Sequence, residues 1–155
     1  MSAIGLEMSL DTDSAAAIEA VPREDRGSGC FHLRVLFYGP ADEVAAVLPA
    51  GAGVYLDPMP CAGLLPGLRK AGCWPRLLEA ADVAAASYEW KAAVRARRVT
   101  ADAHEALRDA MKYAIRRPLA AAFAFERRRV PCDMSVLNAA AFGMWGAKVP
   151  AADIF

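Results

Sequence analysis

Between Ile4 and Leu10 every second residue is apolar: Ile4, Leu6, Met8 and Leu10 alternate with Gly5, Glu7 and Ser9. A two-residue period is that of a strand with one buried face. The clearest strand follows at 31–38, where Phe31, Leu33, Val35 and Phe37 share one face and His32, Arg34, Leu36 and Tyr38 the other. Its aromatic and β-branched content supports that reading, with the first set buried and His32 and Arg34 more exposed. Between the two strands, Asp13 and Ser14 stand where a helix cap would and predict a short helix through Ala20. Residues 22–29, reading PREDRGSG, carry no period and predict a loop.

Gly39-Pro40 breaks the strand. Asp42 then suits the first turn of a helix running to about Leu48, ended by Pro49 and Gly51. Val54 to Leu56 reads as a third short strand, and 57–66, with three prolines, as a loop leading into a helix over 64–70. Trp74-Pro75 reads as a helix entry with proline at the first position, and the helix formers that follow extend it through Arg98. Thr100 predicts the next cap, with Asp102 and Glu105 in the first turn. Ala103, Leu107, Ala110, Met111 and Ala114 recur with helical spacing until Pro118. Residues 119–129 read either way: the alanines favour helix, whereas Phe123 and Phe125 alternate. Asp133 caps a last helix through about Trp145, and the tail, AKVPAADIF, predicts irregular chain. These elements predict an α+β fold: a small N-terminal sheet of about three strands packed on a largely helical C-terminal half, one domain over 1–155.

Apolar residues make up 56% of the chain and charged residues 23%, a globular composition. The longest uncharged stretches, 44–56 and 134–147, fall short of the ~20 residues a spanning helix needs. Glu7, Asp11 and Asp13 interrupt the start, which has no basic leader, so no export signal is read there. The four cysteines form no Cys-x-x-Cys pair, and reduced thiols in the cytoplasm are the expectation.

Lys plus Arg equals Asp plus Glu, which excludes a uniformly basic nucleic-acid binder. The balance hides an asymmetry. Residues 1–62 hold three basic against nine acidic side chains, and residues 63–155 fifteen against nine. Helical spacing aligns Lys91, Arg95 and Arg98 on one side of their helix, and His104, Arg108, Lys112 and Arg116 on one side of the next. Arg127, Arg128 and Arg129 form a run. Lys91, Arg95, Arg98, Arg108, Lys112 and Arg116 are therefore candidate anion ligands, since aligned cations can neutralise successive phosphates. The plainer reading is a solvated helix edge on which Glu105 pairs Arg108 and Asp109 pairs Lys112.

Other chemistry is sparse. Only His32 and His104 exist, without metal-ligand spacing, so no metal site is assigned. Cys132, beside Pro131 and Asp133, stands near a helix start, where a thiol pKa falls. No nucleophile elbow, phosphate loop or dinucleotide fingerprint occurs, and no cofactor is called for. Gly51-Ala52-Gly53 reads as a turn. Asp11 and Asp13 could be half of a divalent-ion site, but capping explains them better. Trp74, Trp90 and Trp145 suit a core, or a binding hot spot if exposed. Ile154-Phe155 could dock on its own domain or in a partner's groove.

The leading functional expectation is a non-enzymatic interaction or regulatory protein that self-associates or joins a complex. Its support is the missing chemistry and the high apolar fraction. Nucleic-acid or polyanion binding through the basic half is one alternative, and a small enzyme with a site assembled from scattered residues is the other.

Overall fold

A computed structural model describes residues 1–149 of the chain. The strands are β1 (Ala3–Met8), β2 (Ser14–Pro22), β3 (Phe31–Pro40), β4 (Gly53–Leu56), β5 (Trp74–Leu77), β6 (Val99–Ala101), β7 (Arg116–Leu119) and β8 (Ala122–Phe125). The helices are α1 (Val44–Val47), α2 (Pro58–Cys61), α3 (Leu65–Lys70), α4 (Ala80–Arg95), α5 (Glu105–Tyr113) and α6 (Ser135–Lys148). A six-stranded mixed sheet has the order β5-β4-β1-β2-β3-β6, and β7 and β8 form a separate hairpin. The fold is α+β, but the expected division into an N-terminal sheet and a helical second half is wrong. Strands occur throughout the chain, and β5 and β6 from the basic half complete both edges of the main sheet.

Three local corrections explain the difference. Ser14 to Ala20, expected to be helical, lies in β2, paired antiparallel with both β1 and β3. Ala15, Ala16 and Ala17 favour helix in isolation, but here they are wholly buried between two layers, where small side chains let the layers close. Trp74-Pro75 opens β5, not a helix. Proline fits because β5 is an edge strand, with one side free of ladder partners. The helix starts at Ala80, where the Asp82 carboxylate accepts the Glu79 backbone N–H at 2.9 Å. Thr100 caps nothing: it sits in β6, parallel to β3.

The helix predicted after Thr100 begins only at Glu105 and ends at Tyr113, so Pro118 falls in the hairpin. Of the ambiguous stretch, 122–125 is strand, as the alternation of Phe123 and Phe125 indicated. The third strand, the helix over 64–70 and the last helix lie close to their expected positions. Ala147 to Val149 include the end of α6, and the rest of the tail, with Ile154 and Phe155, lies outside the described residues.

Both faces of the sheet are covered. Leu6, Val44, Val54, Leu56, Cys61 and Leu68 join β1 and β4 to α1, α2 and α3. Ile18, Phe31, Leu33, Trp90, Leu107 and Phe142 join the other face to α4, α5 and α6. Burying each such side chain contributes ~1.5–3 kcal/mol. α6 lies directly on the central strands. A Cβ at Gly5 would stand 1.8 Å from the Ala139 carbonyl oxygen, and one at Gly143 would stand 2.9 Å from that of Ile18. Glycine at both positions lets helix and sheet backbones touch.

β3 carries one irregularity that sequence alternation cannot show. Its register with β2 shifts between Ala17 and Ile18, which face Phe37 and Val35. Leu36 is the extra residue of a bulge. Phe31, Leu33 and Val35 pack towards α6, whereas Phe37 crosses to the layer of α1. Phe31 and Leu33 are buried as expected, but Val35 and Phe37 are only half-buried.

Candidate anion-binding surface and carboxyl-edge cavity

The fold divides the six cationic candidates. Lys91 and Arg95, one turn apart on α4, meet Arg116 at the start of β7. The Lys91 ammonium lies 5.7 Å from the centre of the Phe123 ring, and the Arg116 guanidinium 5.4 Å from it. Desolvation lowers the Lys91 pKa, and the neighbouring Arg116 and Arg95 charges lower it further. Among the described residues, none of these three cations is in an ion pair. Two cations thus lie against one half-buried aromatic ring, and the charge of Arg95 reaches one of them.

The others do not join this group in any recorded contact. Arg98 packs against the loop after β2, its Nη1 atom 3.0 Å from where a Gly29 Cβ would be, with its Nε buried and unpaired. Lys112 lies 5.1 Å from the Tyr113 ring, and Arg108 is exposed. The expected Glu105–Arg108 and Asp109–Lys112 pairs do not form. Basic character continues beyond the hairpin. The Glu126 carboxyl is held below its usual range first by the Arg128 backbone N–H, then by that of Arg127 and by the Arg129 and Arg117 charges.

A second region lies at one end of the sheet. β1, β3, β4, β5 and β6 run in one direction and β2 runs against them, so five carboxyl ends share an edge. Ligands in open α/β sheets favour that edge. Glu7, next to last in β1, is 1% exposed. Burial pushes its carboxyl up to about 7; Arg127 opposes this, Asp57 reinforces it, and a Cys61 hydrogen bond lowers it slightly. The Cys61 thiol donates to Glu7 Oε1 at 3.5 Å, and the Met8 backbone N–H donates at 3.1 Å. Burial, then the Glu7 charge, drives the Cys61 thiol strongly upward. Arg127 reaches in from the segment after β8, its Nη1 4.0 Å from Glu7 and its Nη2 donating to the Met8 carbonyl at 2.6 Å.

Beside this pair opens a cavity of about 390 Å³, lined by Ser9, Leu10, Asp11, Arg127, Cys132, Asp133 and Met134. The Tyr38 hydroxyl donates to Asp133 at 3.1 Å, while the other Asp133 oxygen accepts the Ser135 N–H at 2.9 Å. Asp133 therefore holds the first N–H of α6 from one residue before the N-cap, which is Met134 and not Asp133 as expected. Burial, with Asp133 beside it, pushes the Tyr38 phenol up to about 12. Asp11 accepts from the Ser9 hydroxyl and from the Asp13 N–H, which makes it the closing residue of the β1–β2 turn rather than a helix cap. Among the described residues, no group of three or more His, Cys, Asp and Glu side chains is placed to hold a metal ion. Cys132 is not an activated thiol: burial raises its pKa, and the Asp109 and Asp133 charges add to the shift.

The remaining candidates separate cleanly. His32 bridges β6, with Nδ1 2.8 Å from the Thr100 hydroxyl and Nε2 3.1 Å from Asp102. His104 packs edge-on against Tyr38. Trp90 is core, whereas Trp74 is 68% exposed on β5. All four cysteines are free. No described helix is long and apolar enough to cross a membrane. Sequence reasoning missed Glu7 and Arg127 as partners. The one available signal was a carboxylate inside an otherwise apolar-alternating strand. Comparison of the chain with protein-family models, with curated proteins and with solved structures gives no match.

Proposed function

We propose that this protein binds polyanions, nucleic acid foremost, through the surface formed by α4 and the β7–β8 hairpin. The observation that carries this reading is that Lys91 and Arg116 meet on the Phe123 ring, with the Arg95 charge acting on Lys91, and none of the three is in an ion pair among the described residues. Gathering like charges costs free energy, and the exposed ion pairs that usually repay it are absent here among the described residues. A phosphate backbone supplies the missing charge, and a cation drawn from the Phe123 ring onto phosphate frees that face to stack an unpaired base. Single-stranded nucleic acid is thus the preferred form.

Fluorescence anisotropy of a labelled single-stranded oligonucleotide tests the reading. Binding should weaken as salt rises, with a logarithmic slope of roughly −2 for three phosphate contacts. Reversing Lys91, Arg95 and Arg116 to Glu together should remove it. Absence of binding at low salt, or equal binding by the reversed variant, would sink the proposal.

A second reading, that the protein docks on another protein or on its own copy in a regulatory role, draws on β5. This edge strand exposes Trp74 at 68% and Leu77 at 48%. Large apolar side chains on a strand edge favour a partner. Four free thiols fit a reducing compartment such as the cytoplasm. Light scattering across micromolar concentrations tests self-association. A monomer at every concentration would leave only a different protein as the partner.

A further inference from the structure

We propose that Thr100 is a nucleophile that takes an acyl group from activated esters, with His32 as its general base and Asp102 orienting the imidazole. His32 in β3 pairs with Thr100 in β6, and Asp102 follows β6 directly. His32 Nε2 lies 3.1 Å from Asp102 Oδ1, and Nδ1 lies 2.8 Å from the Thr100 hydroxyl oxygen. An ionised carboxylate only accepts hydrogen bonds, so Nε2 carries the ring proton and donates to Asp102. In the neutral ring Nδ1 is then an acceptor, and the Thr100 hydroxyl donates to it. The other acceptor near that hydroxyl, the Phe31 carbonyl, is 3.5 Å away, at the limit of a hydrogen bond. Nucleophile, base and orienting carboxylate thus stand in the order that activates a hydroxyl.

Backbone contacts hold the arrangement in place. The Val35 N–H donates to the second Asp102 oxygen at 3.2 Å, and the Asp102 N–H donates to the Leu33 carbonyl at 2.9 Å. The three side chains are therefore positioned by the β3–β6 pair. The group is also open to a substrate. β6 is an edge strand, the His32 and Asp102 side chains are 29% and 48% exposed, and Thr100 is half-buried. In the step itself, the Thr100 oxygen bonds to the acyl carbon, and the ester's leaving oxygen departs with the electron pair of the bond it loses. The hydroxyl proton passes to His32 Nδ1, where Asp102 faces the imidazolium, and from there to the departing oxygen. A threonine ester has a much poorer leaving group than an aryl ester, so the acyl group stays on Thr100. This inference stands apart from the nucleic-acid reading, because the two sites share no residue.

Treatment of the intact chain with p-nitrophenyl acetate, followed by acid quench and peptide mass spectrometry, reads acetyl on each threonine. Thr12, exposed in the β1–β2 turn and bonded to no histidine among the described residues, is a control within the same molecule. Thr100 should be acetylated ~100-fold faster than Thr12 or more, the usual gain from a positioned base. His32→Gln should remove that excess, and Thr100→Val should remove the label from its peptide. Asp102→Asn, whose amide can donate to Nε2 and turn the ring proton onto Nδ1, should slow the labelling with the melting temperature unchanged. The His32 ¹⁵N shifts in alkaline buffer should place the proton on Nε2 in the unaltered chain and on Nδ1 in that variant. If a variant fails to fold, the ratio of Thr100 to Thr12 labelling in the unaltered chain still decides. Equal labelling of the two threonines, an excess that survives His32→Gln, or a ring proton on Nδ1 in the unaltered chain would overturn the proposal.

Discussion

The hairpin surface and the carboxyl edge handle charge in opposite ways. Lys91 and Arg116 meet on the Phe123 ring with the Arg95 charge close by, and none of the three is in an ion pair among the described residues. At the edge, one carboxylate is buried and most of its neighbours are spoken for: a thiol, a backbone N–H and an arginine that also binds a carbonyl. An exposed unpaired charge can be answered by a ligand at little cost to the fold. A buried charge is instead tied to stability, because desolvation must be offset from within the protein. The first region is therefore where binding is expected, and the second is where pH should be felt.

The largest effect should come from the surface. Reversing Lys91, Arg95 and Arg116 to Glu removes about three phosphate contacts and adds repulsion. Oligonucleotide affinity should fall by ~100-fold or more at low salt. Stability should barely move, as is usual at exposed sites. A fall in melting temperature matching the loss of binding would erase the contrast between the regions.

Glu7 should show the reverse. Its carboxyl titrates at about 7 in the fold against its ordinary 4.5, so between those values the folded chain keeps a proton that the unfolded chain has released. Stability is then full below about pH 4.5, falls as pH rises through the window, and levels above about 7. The difference is on the order of 3 kcal/mol. Glu7→Gln should abolish this slope and be the more stable protein at pH 8.5, by denaturant titration, with oligonucleotide binding unchanged. Parallel slopes in the two proteins would show that Glu7 ionises freely.

Smaller effects sharpen the boundary. Tyr38→Phe removes the hydroxyl donor to Asp133 and should cost ~1 kcal/mol by thermal unfolding without touching binding. Reversing Arg108 and Lys112 to Glu should change affinity by no more than about threefold, because they lie outside the group around Phe123 and feel it only through screened charge. An effect as large as the triple reversal would extend the surface onto α5.

Much of this contrast was hidden in the sequence for identifiable reasons. Alternation located β1 and β3, and Asp133, one residue before the N-cap, marked the start of α6. β2 was misread since its alanines describe the space between two layers rather than a helical preference. β5 and β6, with four and three residues, are too short for any period and exist because a neighbour pairs with them. The turn of Phe37 to the opposite face depends on a bulge that no pattern announces. Lys91 and Arg95 were legible as neighbours from helical spacing. Arg116 joins them only because its segment folds back as a hairpin, and Arg98 leaves them because the chain has already turned into β6. Glu7 and Arg127 lie near opposite ends of the chain, and only the packed sheet edge makes them a pair.

Chemical-shift mapping with a short single-stranded oligonucleotide tests the division most directly. Backbone amide shifts should concentrate at Lys91, Arg95, Arg116 and Phe123, with the Phe123 ring signals moving as well. Glu7, Ser9, Asp133 and the exposed face of α5 should stay in place. Shifts centred on the carboxyl edge, or none at Phe123, would contradict the assignment of binding to the hairpin surface.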